Sequence, residues 1–388
     1  MCDTDDRAEV TAAEALPASL EWKGEVLPLE PVDELSVLTV CDNVMDMLLP
    51  DEGPAKRLPL AAMARLAPPL EAPAALRQGG RRATGPARVL RASGDPQGRP
   101  VRRLLFDTGI TPGGCAGNLR RLGQDPAGIE AIVCSHGHFD HTTGLSGLIG
   151  QLGRANLPVL IHPEFWARRR LDIPGGEPFE LPATSRSALE DAGFDVIEQQ
   201  QPSFLYDRSV LITGEVDRVT GFEKGFPVHQ AWRGQSWEPD PLIPDDQALI
   251  AHVAGRGLVV LTGCRHAGII NICRYAQRLT GVENLHAIIG GFHLTPPLFE
   301  PVIGGDKLCL PWCVVGAKWG AIGGRHQAIY SPLQSSISGI HQVSGHSGPR
   351  LPWCRPRSHR EGQGSSLPNL TKITARWRRS CPSPRPRR

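Results

Sequence analysis

The sequence of 388 residues lacks any long apolar run. No stretch approaches the roughly eighteen consecutive apolar residues that a membrane-spanning helix needs. The first six residues, MCDTDD, are acidic, whereas a secretory signal begins with basic residues followed by an apolar segment. We therefore expect a cytoplasmic protein without a membrane partner.

The sequence also lacks a dense cysteine framework and a strong net charge. Its ten cysteines are scattered along the chain, which favours reduced thiols over disulfides when no export signal is seen. The net charge is only +2 at pH 7, but it is unevenly distributed. Residues 355–388 contain ten Lys or Arg and a single Glu, so this segment carries +9 and the remainder is mildly acidic.

Hydrophobic residues make up 40% of the chain, which is enough for a sizeable core. Short apolar segments alternate with helical patterns, and polar or ionisable residues follow each segment. This pattern is typical of a layered α/β fold with its site at one edge of the sheet. The predicted strands are 34–40, 101–106, 129–133, 158–162, 210–213, 248–253, 257–262 and 285–289, and the predicted helices are 114–122 and 269–279.

Composition and hydrophobic pattern divide the chain into three parts. Residues 1–33 form an N-terminal extension, and residues 34–303 form the α/β domain. Within that domain, residues 51–98 are rich in Pro, Ala, Gly and Arg and are predicted to be a connecting or covering segment. Residues 304–388 are crowded with Gly, Ser, Pro, Trp, Cys and Arg, and we expect an irregular, poorly ordered tail with little stable packing.

The most informative segment follows the strand predicted at 129–133, where residues 136–141 read HGHFDH. Neutral imidazole nitrogen and carboxylate oxygen are ligands that zinc and similar divalent ions accept. His136 and His138 are two residues apart, so in an extended backbone their side chains point the same way and can converge on one ion. Asp140 and His141 follow as the chain turns, where they can face a second ion.

Two later strand ends carry further candidate ligands. Cys264, Arg265 and His266 follow the strand at 257–262, and His293 follows the strand at 285–289. More than a hundred residues separate them from the first cluster, so only the fold can bring them together. Two alternatives stay open here: His293 as a simple cap of its strand, and Arg265 as a solvated surface residue. The sequence predicts that His162 and His252, which lie in apolar strands, are satisfied core residues.

These motifs together resemble the metallo-β-lactamase superfamily. The HGHFDH string resembles the superfamily signature, and residues 105–109, LFDTG, resemble its usual preceding strand and aspartate. Four other stretches resemble the branch known for dihydropterin ribofuranosylaminobenzene phosphate synthase: residues 40–43, 221–225, 261–271 and 289–294. The resemblance covers roughly residues 34–303 and implies an αββα sandwich that holds one or two metal ions in a groove at the sheet edges.

The resemblance also implies a set of ligands. His136, His138 and His266 would hold the first ion, whereas Asp140, His141 and His293 would serve the second. Asp107 and Cys264 would be ligands or partners that orient a histidine. The expected metal is zinc, in one or two ions, with manganese or iron as alternatives.

One departure from that branch lies beyond residue 303. The branch normally ends on a strand that supplies another histidine, but the corresponding residues 310–316, LPWCVVG, contain none. Together with the basic, proline-rich ending, this leads to the hypothesis that the reading frame is shifted after Ile303 and that activity is impaired.

These observations give a ranked set of functions. The first is a metal-dependent hydrolase, in which the metal lowers the pKa of a bound water, Asp140 acts as the catalytic carboxylate, and Arg265 pairs with a phosphate or carboxylate of a small-molecule substrate. The second is a transferase like the synthase of the resembling branch. A metal-binding protein that has lost activity is a third hypothesis. Nucleic-acid binding by the basic tail ranks below all of these, because an unstructured end without a partner explains the tail more simply.

Overall fold

The computed structural model describes residues 14–15, 24–41, 87–93, 101–152, 156–221, 223–291, 313–316 and 374–378. The strands, in chain order, are β1 Glu14–Ala15, β2 Glu34–Cys41, β3 Ala87–Ser93, β4 Arg102–Phe106, β5 Ala131–Val133, β6 Leu157–Ile161, β7 Arg169–Leu171, β8 Phe179–Glu180, β9 Phe194–Glu198, β10 Ser203–Leu205, β11 Val210–Ile212, β12 His229–Arg233, β13 Ser236–Pro239, β14 Ala248–Val253, β15 Gly257–Thr262, β16 Leu285–Gly290, β17 Cys313–Gly316 and β18 Thr374–Arg378. The α-helices are α1 Gly114–Arg121, α2 Phe139–Thr142, α3 Leu145–Leu152, α4 Arg186–Asp191 and α5 Ile269–Thr280.

Most strands belong to two seven-stranded mixed sheets. One has the order β18-β2-β3-β4-β5-β6-β9, and the other has the order β1-β10-β11-β14-β15-β16-β17. Inward-facing residues of both sheets, such as Leu104 and Val133 from one and Leu249 and Val259 from the other, form a single buried cluster. The two sheets therefore pack face to face, because each has an apolar face to remove from water.

Helices cover the outer face of each sheet. Leu119 of α1, Leu145 of α3 and Leu189 of α4 pack with the outward-facing residues of the first sheet. Helix α5 packs on the outer face of the second sheet through residues such as Ile272 and Leu279. The architecture is therefore the αββα sandwich that the resemblance to the superfamily implied. No helix in the described part of the chain is long and apolar enough to cross a membrane.

A four-stranded antiparallel sheet, β13-β12-β7-β8, lies beside this sandwich. We call it the small sheet. The sequence did not predict its strands, since HQAWR in β12 and SWEP in β13 lack a run of apolar residues. It matters for function because β12 begins at His229, and residues after β13 reach back to the loops that follow β5 and β15.

The prediction that residues 51–98 form a connecting or covering segment was wrong for the C-terminal part of that range. Ala87–Ser93 forms β3, which pairs antiparallel with both β2 and β4 and is therefore central to its sheet. Arginines at 88 and 91 interrupt the apolar alternation of this segment, and this hid the strand from sequence reasoning. The rest of the segment lies outside the described residues.

Both ends of the chain contribute to the described structure. Before the predicted boundary at residue 34, Leu27 donates its backbone N–H to Leu279 O at 2.7 Å and is buried against α5. Beyond residue 303, β17 pairs parallel with β16, and β18 pairs antiparallel with β2. The other residues of the predicted tail lie outside the described part of the chain.

Parallel pairing decides where the polar strand ends meet. Strands β4, β5 and β6 are parallel neighbours in the first sheet, and β15 and β16 are parallel neighbours in the second. The carboxyl ends of parallel strands lie at one edge of a sheet. The loops after β4 and β5 therefore share one edge of the first sheet, and the contact of His141 with Cys264 at 2.9 Å places the loop after β15 at the same end of the sandwich.

Candidate metal centre

The loop after β5 carries the two histidines of the predicted first cluster. His138 has extended backbone angles and immediately precedes α2, whose single turn contains Asp140 and His141. The intervening Gly137 permits a close approach, because a Cβ atom at this position would lie 2.1 Å from the carbonyl oxygen of Phe165. The HGHFDH segment is thus an extended stretch that turns directly into a short helix.

His136, His138 and His266 form what we call the first cluster. One ring nitrogen from each lies within 4.8 Å of the others, and His136 Nε2 is 3.1 Å from His138 Nδ1. Two nitrogens bound tetrahedrally to zinc at 2.0–2.1 Å would be about 3.3 Å apart. The other nitrogen of His138, Nε2, is buried and has no hydrogen-bond partner among the described residues.

His136, His141 and Cys264 form what we call the second cluster, again with one ligand atom each within 4.8 Å of the others. His141 Nε2 is 2.9 Å from Cys264 Sγ and 3.4 Å from Asp140 Oδ2. His136 belongs to both clusters, so the two are contiguous. The structure therefore brings together six of the predicted ligands or partners from the loops after β5 and β15.

Asp107 anchors the second cluster from the loop after β4. Its carboxylate lies 2.8 Å from His141 Nδ1 and accepts hydrogen bonds from Ser135 N at 2.7 Å and Ser135 Oγ at 2.9 Å. Asp107 is fully buried and has a φ angle of +58°. A non-glycine residue is uncommon in this left-handed region. This backbone conformation occurs where the Asp107 carboxylate contacts both Ser135 and His141.

A buried ion pair holds the backbone between His136 and His138. Arg169 of β7 contacts Asp240 Oδ2 at 2.8 Å and Asp245 Oδ1 at 2.7 Å. The other oxygen of Asp245 accepts the backbone N–H of Gly137 at 2.7 Å. Because the guanidinium fork fixes both carboxylates, the small sheet is connected rigidly to the loop that carries two first-cluster imidazoles.

Residues 240–247, which connect β13 to β14, also hold the loop that carries His266. Asp246 Oδ2 accepts the backbone N–H of Ala267 at 2.7 Å, and Arg218 Nη1 donates to His266 O at 2.9 Å. Gln247 donates its backbone N–H to Ser135 O at 2.9 Å. Residues 240–247 thus contact the loops after both β5 and β15, and they set the spacing between them.

Helix α5 follows the His266 loop and is fixed at its start by Glu223. The Glu223 carboxylate accepts the backbone N–H groups of Ile270 at 3.0 Å and Asn271 at 2.9 Å. These groups have no partner within the helix. A loop that resembles the synthase branch in sequence therefore caps the helix that follows the third histidine.

The clusters differ in their electrostatics. Burial lowers the pKa of His136 and His138 well below the usual range, and neighbouring imidazoles and Arg169 add to this effect. Both rings are therefore neutral near pH 7 and can offer a lone pair. Burial also acts to lower the pKa of His141, but attraction to Cys264, Asp140 and Asp107 outweighs it and raises that pKa well above the usual range.

Other predicted residues have mixed outcomes. His293 lies outside the described residues. Arg265 is only 5% exposed, so the alternative of a solvated surface arginine is wrong. His162 is buried, and its Nδ1 accepts the Glu164 N–H at 3.1 Å, but its Nε2 has no described hydrogen-bond partner. His252 is half-buried rather than in the core.

Sequence reasoning missed several residues of the site. Ser135, Asp245 and Asp246 lie beside the predicted ligands, and Asp246 is buried, which raises its pKa to about 7. His229 is also buried, and its ring centroid lies 5.1 Å from that of His138 and 5.6 Å from that of His266. Burial, followed by the charge of Arg169, lowers the pKa of His229 to about 3. The pair Asp245-Asp246 was the only sequence signal, since two adjacent carboxylates precede the apolar strand β14.

Comparisons with known proteins agree with this geometry. The beta-lactamase superfamily domain matches residues 102–175, which include Asp107 and the HGHFDH segment. An uncharacterized protein of Methanocaldococcus jannaschii is 30% identical over 198 residues, which are 50% of this chain and 68% of that protein. The chain belongs to the metallo-β-lactamase superfamily. This superfamily member is also 26% identical over 227 residues to 7,8-dihydropterin-6-methyl-4-(β-D-ribofuranosyl)-aminobenzene-5'-phosphate synthase of the same organism, covering 55% of this chain and 75% of the synthase.

Solved structures with similar folds are more distant from this superfamily member. A metal-dependent hydrolase of the beta-lactamase superfamily has 19% sequence identity and a TM-score of 0.46, over 70% of this chain and 82% of that one. A quorum-quenching N-acyl homoserine lactone lactonase has 15% identity and a TM-score of 0.34, over 68% of this chain and 93% of that one.

Proposed function

We propose that this chain is a metal-dependent hydrolase that cleaves an ester, phosphoester or related bond of a small molecule. The observation that carries the proposal is the convergence of ring nitrogens from His136, His138 and His266 within 4.8 Å. Sites that perform hydrolysis bind a metal with three protein ligands and keep a position open for water. A three-imidazole cluster beside the carboxylate of Asp140 fits that requirement.

The donor set fits a divalent ion such as zinc. The three residues of the first cluster offer only imidazole nitrogens, and two of these residues are buried and neutral. His136 Nε2 and His138 Nδ1 lie 3.1 Å apart, close to the separation of two nitrogens that bind one zinc ion. His141, Asp140 and Cys264 would hold a second ion. A bound ion of this kind supplies a water of lowered pKa and polarises the bond to be cleaved.

The remaining residues of the site orient these groups. Asp107 contacts His141 Nδ1 at 2.8 Å, which leaves Nε2 directed toward Cys264 and Asp140. Ser135 Oγ lies 2.9 Å from His136 Nδ1 and so leaves Nε2 of His136 directed toward His138. Partners of this kind fix a ring's orientation and tautomer. Asp140, at the start of α2, is the group that we assign to accept a proton from the attacking water.

Elemental analysis combined with a substrate screen tests this function. The full chain is purified, its metal content per chain is measured, and turnover is assayed on a phosphodiester, a lactone and a carboxylic ester. We expect at least one ion per chain and turnover on one substrate class. The His138→Ala variant should lose both, whereas the His252→Ala variant, which alters a half-buried histidine on β14, should keep both. Stoichiometric metal without turnover on a wide panel would instead favour a metal-binding protein that lacks catalysis.

A second candidate is the transferase reaction of the synthase branch. It is favoured by one observation, the 26% identity that extends over 75% of the synthase. The name of that enzyme implies a product in which a pterin methyl carbon is joined to a ribofuranosylaminobenzene phosphate. We rank it second because the converging imidazoles account for the activation of water directly, whereas a transfer reaction also needs a binding site for the pterin.

A coupling assay distinguishes the two candidates. The purified chain is incubated with ribofuranosylaminobenzene 5'-phosphate and a dihydropterin that carries a leaving group on its 6-methyl carbon, and products are identified by mass spectrometry. Formation of the joined product at a rate above ester hydrolysis would make the chain a transferase. Hydrolysis of esters without the joined product would support the hydrolase.

A further inference from the structure

His229 is a buried histidine at the first cluster that the proposed ligand set does not use. It begins β12 in the small sheet, and its backbone is fixed on both sides. Its N–H donates to Phe226 O at 3.2 Å, and its carbonyl accepts the N–H of Asp240 at 2.9 Å. The side chain therefore has a position set by the small sheet and is not carried by a free loop.

The ring of His229 packs within the site and not in the apolar core. Its centroid lies 5.1 Å from His138, 5.6 Å from His266 and 5.1 Å from Phe226. Its nitrogens are absent from both three-residue groups whose ligand atoms converge among the described residues. His229 thus touches two first-cluster imidazoles without belonging to their ligand set.

The Nδ1 atom of this ring has no hydrogen-bond partner among the described residues. His229 is only 4% exposed, and its Nδ1 is buried without a hydrogen-bond partner in the part of the chain that the structure describes. A buried polar atom without a hydrogen-bond partner destabilises the folded protein. Such atoms in native proteins call for an explanation, and a ligand that completes the hydrogen bond is one.

The carboxylates near this ring have other partners. Asp140, whose charge acts on the His229 ring, contacts His141 Nε2 at 3.4 Å, and Asp240 and Asp245 bind Arg169 through close contacts of 2.8 and 2.7 Å. These acidic groups are therefore committed to the loops that carry the ligands. An imidazole N–H that approaches the first cluster from the small sheet would then be completed by an oxygen of a bound substrate.

We infer that His229 is a substrate-binding residue that donates a hydrogen bond to an anionic oxygen, such as a phosphoryl oxygen, held at the first cluster. The inference rests on the proposed function, because it places the substrate beside the ion that His136, His138 and His266 would bind. It adds a role for the small sheet, which would supply a substrate contact while the sandwich supplies the ligands.

Phosphate binding tests the inference separately from catalysis. The metal-loaded full chain and its His229→Phe variant are titrated with inorganic phosphate by calorimetry, and metal content is measured for both. Phenylalanine keeps the ring contacts but removes both nitrogens. We expect unchanged metal content, a phosphate Kd about tenfold higher, and a rise in KM larger than any fall in kcat. His252→Phe is the matched control and should change none of these values.

Three results would overturn the inference. Loss of metal in His229→Phe would make His229 a ligand, and unchanged phosphate affinity and KM would make it a packing residue. Absence of phosphate binding to the metal-loaded wild type would show that the site does not take an oxyanion. Phosphate binding that depends on His229 in a chain without hydrolytic turnover would support this role while refuting the proposed hydrolase.

A measurement on the wild type covers the case in which the variant does not fold. With histidines labelled by nitrogen-15, the Nδ1 resonance of His229 should shift when phosphate is added to the metal-loaded chain, whereas that of His252 should stay in place. An unmoved His229 resonance would overturn the inference. The His229→Gln variant, which retains a side-chain N–H, should recover part of the lost phosphate affinity.

Discussion

The first and second clusters share His136 but differ in how far the protein satisfies their polar atoms. In the first, the buried Nε2 of His138 has no hydrogen-bond partner among the described residues. In the second, both ring nitrogens of His141 have close neighbours, Asp107 at 2.8 Å and Cys264 at 2.9 Å. A residue of the first cluster thus keeps an unsatisfied buried nitrogen, whereas the described histidine of the second cluster is satisfied on both sides by the protein itself.

This difference predicts unequal affinities for metal. An ion at the first cluster would be bound by imidazoles whose lowered pKa values keep them neutral near pH 7, and it would replace only the contact between His136 and His138. An ion at the second cluster would have to replace the contact between His141 and Cys264, and so it would gain less. We therefore expect the first ion to bind more tightly than the second. Calorimetric titration of the metal-free chain with zinc should show two phases, and a single phase of two equal sites would contradict the comparison.

The largest effect is expected from His138→Ala. Removal of this imidazole should eliminate the first ion and lower turnover on the order of a thousandfold or more, since a bound ion contributes several kcal/mol to the barrier. Metal content and kcat/KM measure both consequences. Full metal content in this variant, judged against the His252→Ala control, would show that the first cluster is not a metal site.

A smaller effect is expected from Asp140→Ala. Asp140 lies 3.4 Å from His141 Nε2, and we assign it a role in proton transfer as well as in the second site. Its loss should lower kcat about a hundredfold while KM changes little. Steady-state kinetics separate the two parameters. The exposed Asp195→Ala variant is the control, and an Asp140→Ala enzyme of normal kcat would remove this residue from the mechanism.

Cys264→Ala should affect the second ion and spare the first. Loss of the thiol removes one of the three ligand atoms of the second cluster, so the Kd of the second ion should rise by at least about a hundredfold, the upper end of what loss of a ligand's partner costs. Zinc titration measures this change. Cys273→Ala, which alters a buried cysteine of α5, controls for the loss of a thiol elsewhere. An equal rise in the Kd of both ions in Cys264→Ala would contradict the division into two clusters.

The smallest effect is expected from Asp107→Asn. The amide retains the size of the carboxylate but can no longer accept from Ser135 N, Ser135 Oγ and His141 Nδ1 together. The affinity of the second ion should fall about tenfold, and that of the first should stay within a factor of two or three. Asp195→Asn is the matched control. A larger loss at the first cluster than at the second would reverse the roles assigned here.

The periodicity of the sequence was sufficient to predict most of the sandwich. Strand β15, GLVVLT, is buried at every position, and a continuous apolar run of this length is typical of a strand covered on both faces. The small sheet was not predictable, because HQAWR gives no comparable signal. His229 of the small sheet is buried because it packs against residues that are distant in the chain.

The candidate site was likewise predictable only in part. The spacing of His136 and His138 indicated convergence on one ion, since side chains two residues apart share a face of an extended backbone. The Arg169, Asp245 and Gly137 connection could not be predicted, because its members are 32 to 108 residues apart and an ion pair has no local pattern.

The sequence alone therefore determined the chemical character of the protein: the α/β alternation and a set of imidazole, thiol and carboxylate groups at strand ends. Local chemistry and backbone period are short-range properties, and a sequence expresses them directly. Only the tertiary structure decided which of these groups meet, that Cys264 lies against His141, and that His229 enters the first cluster. Those contacts depend on how sheets and loops pack across long separations, where the position of each residue is set by the whole core.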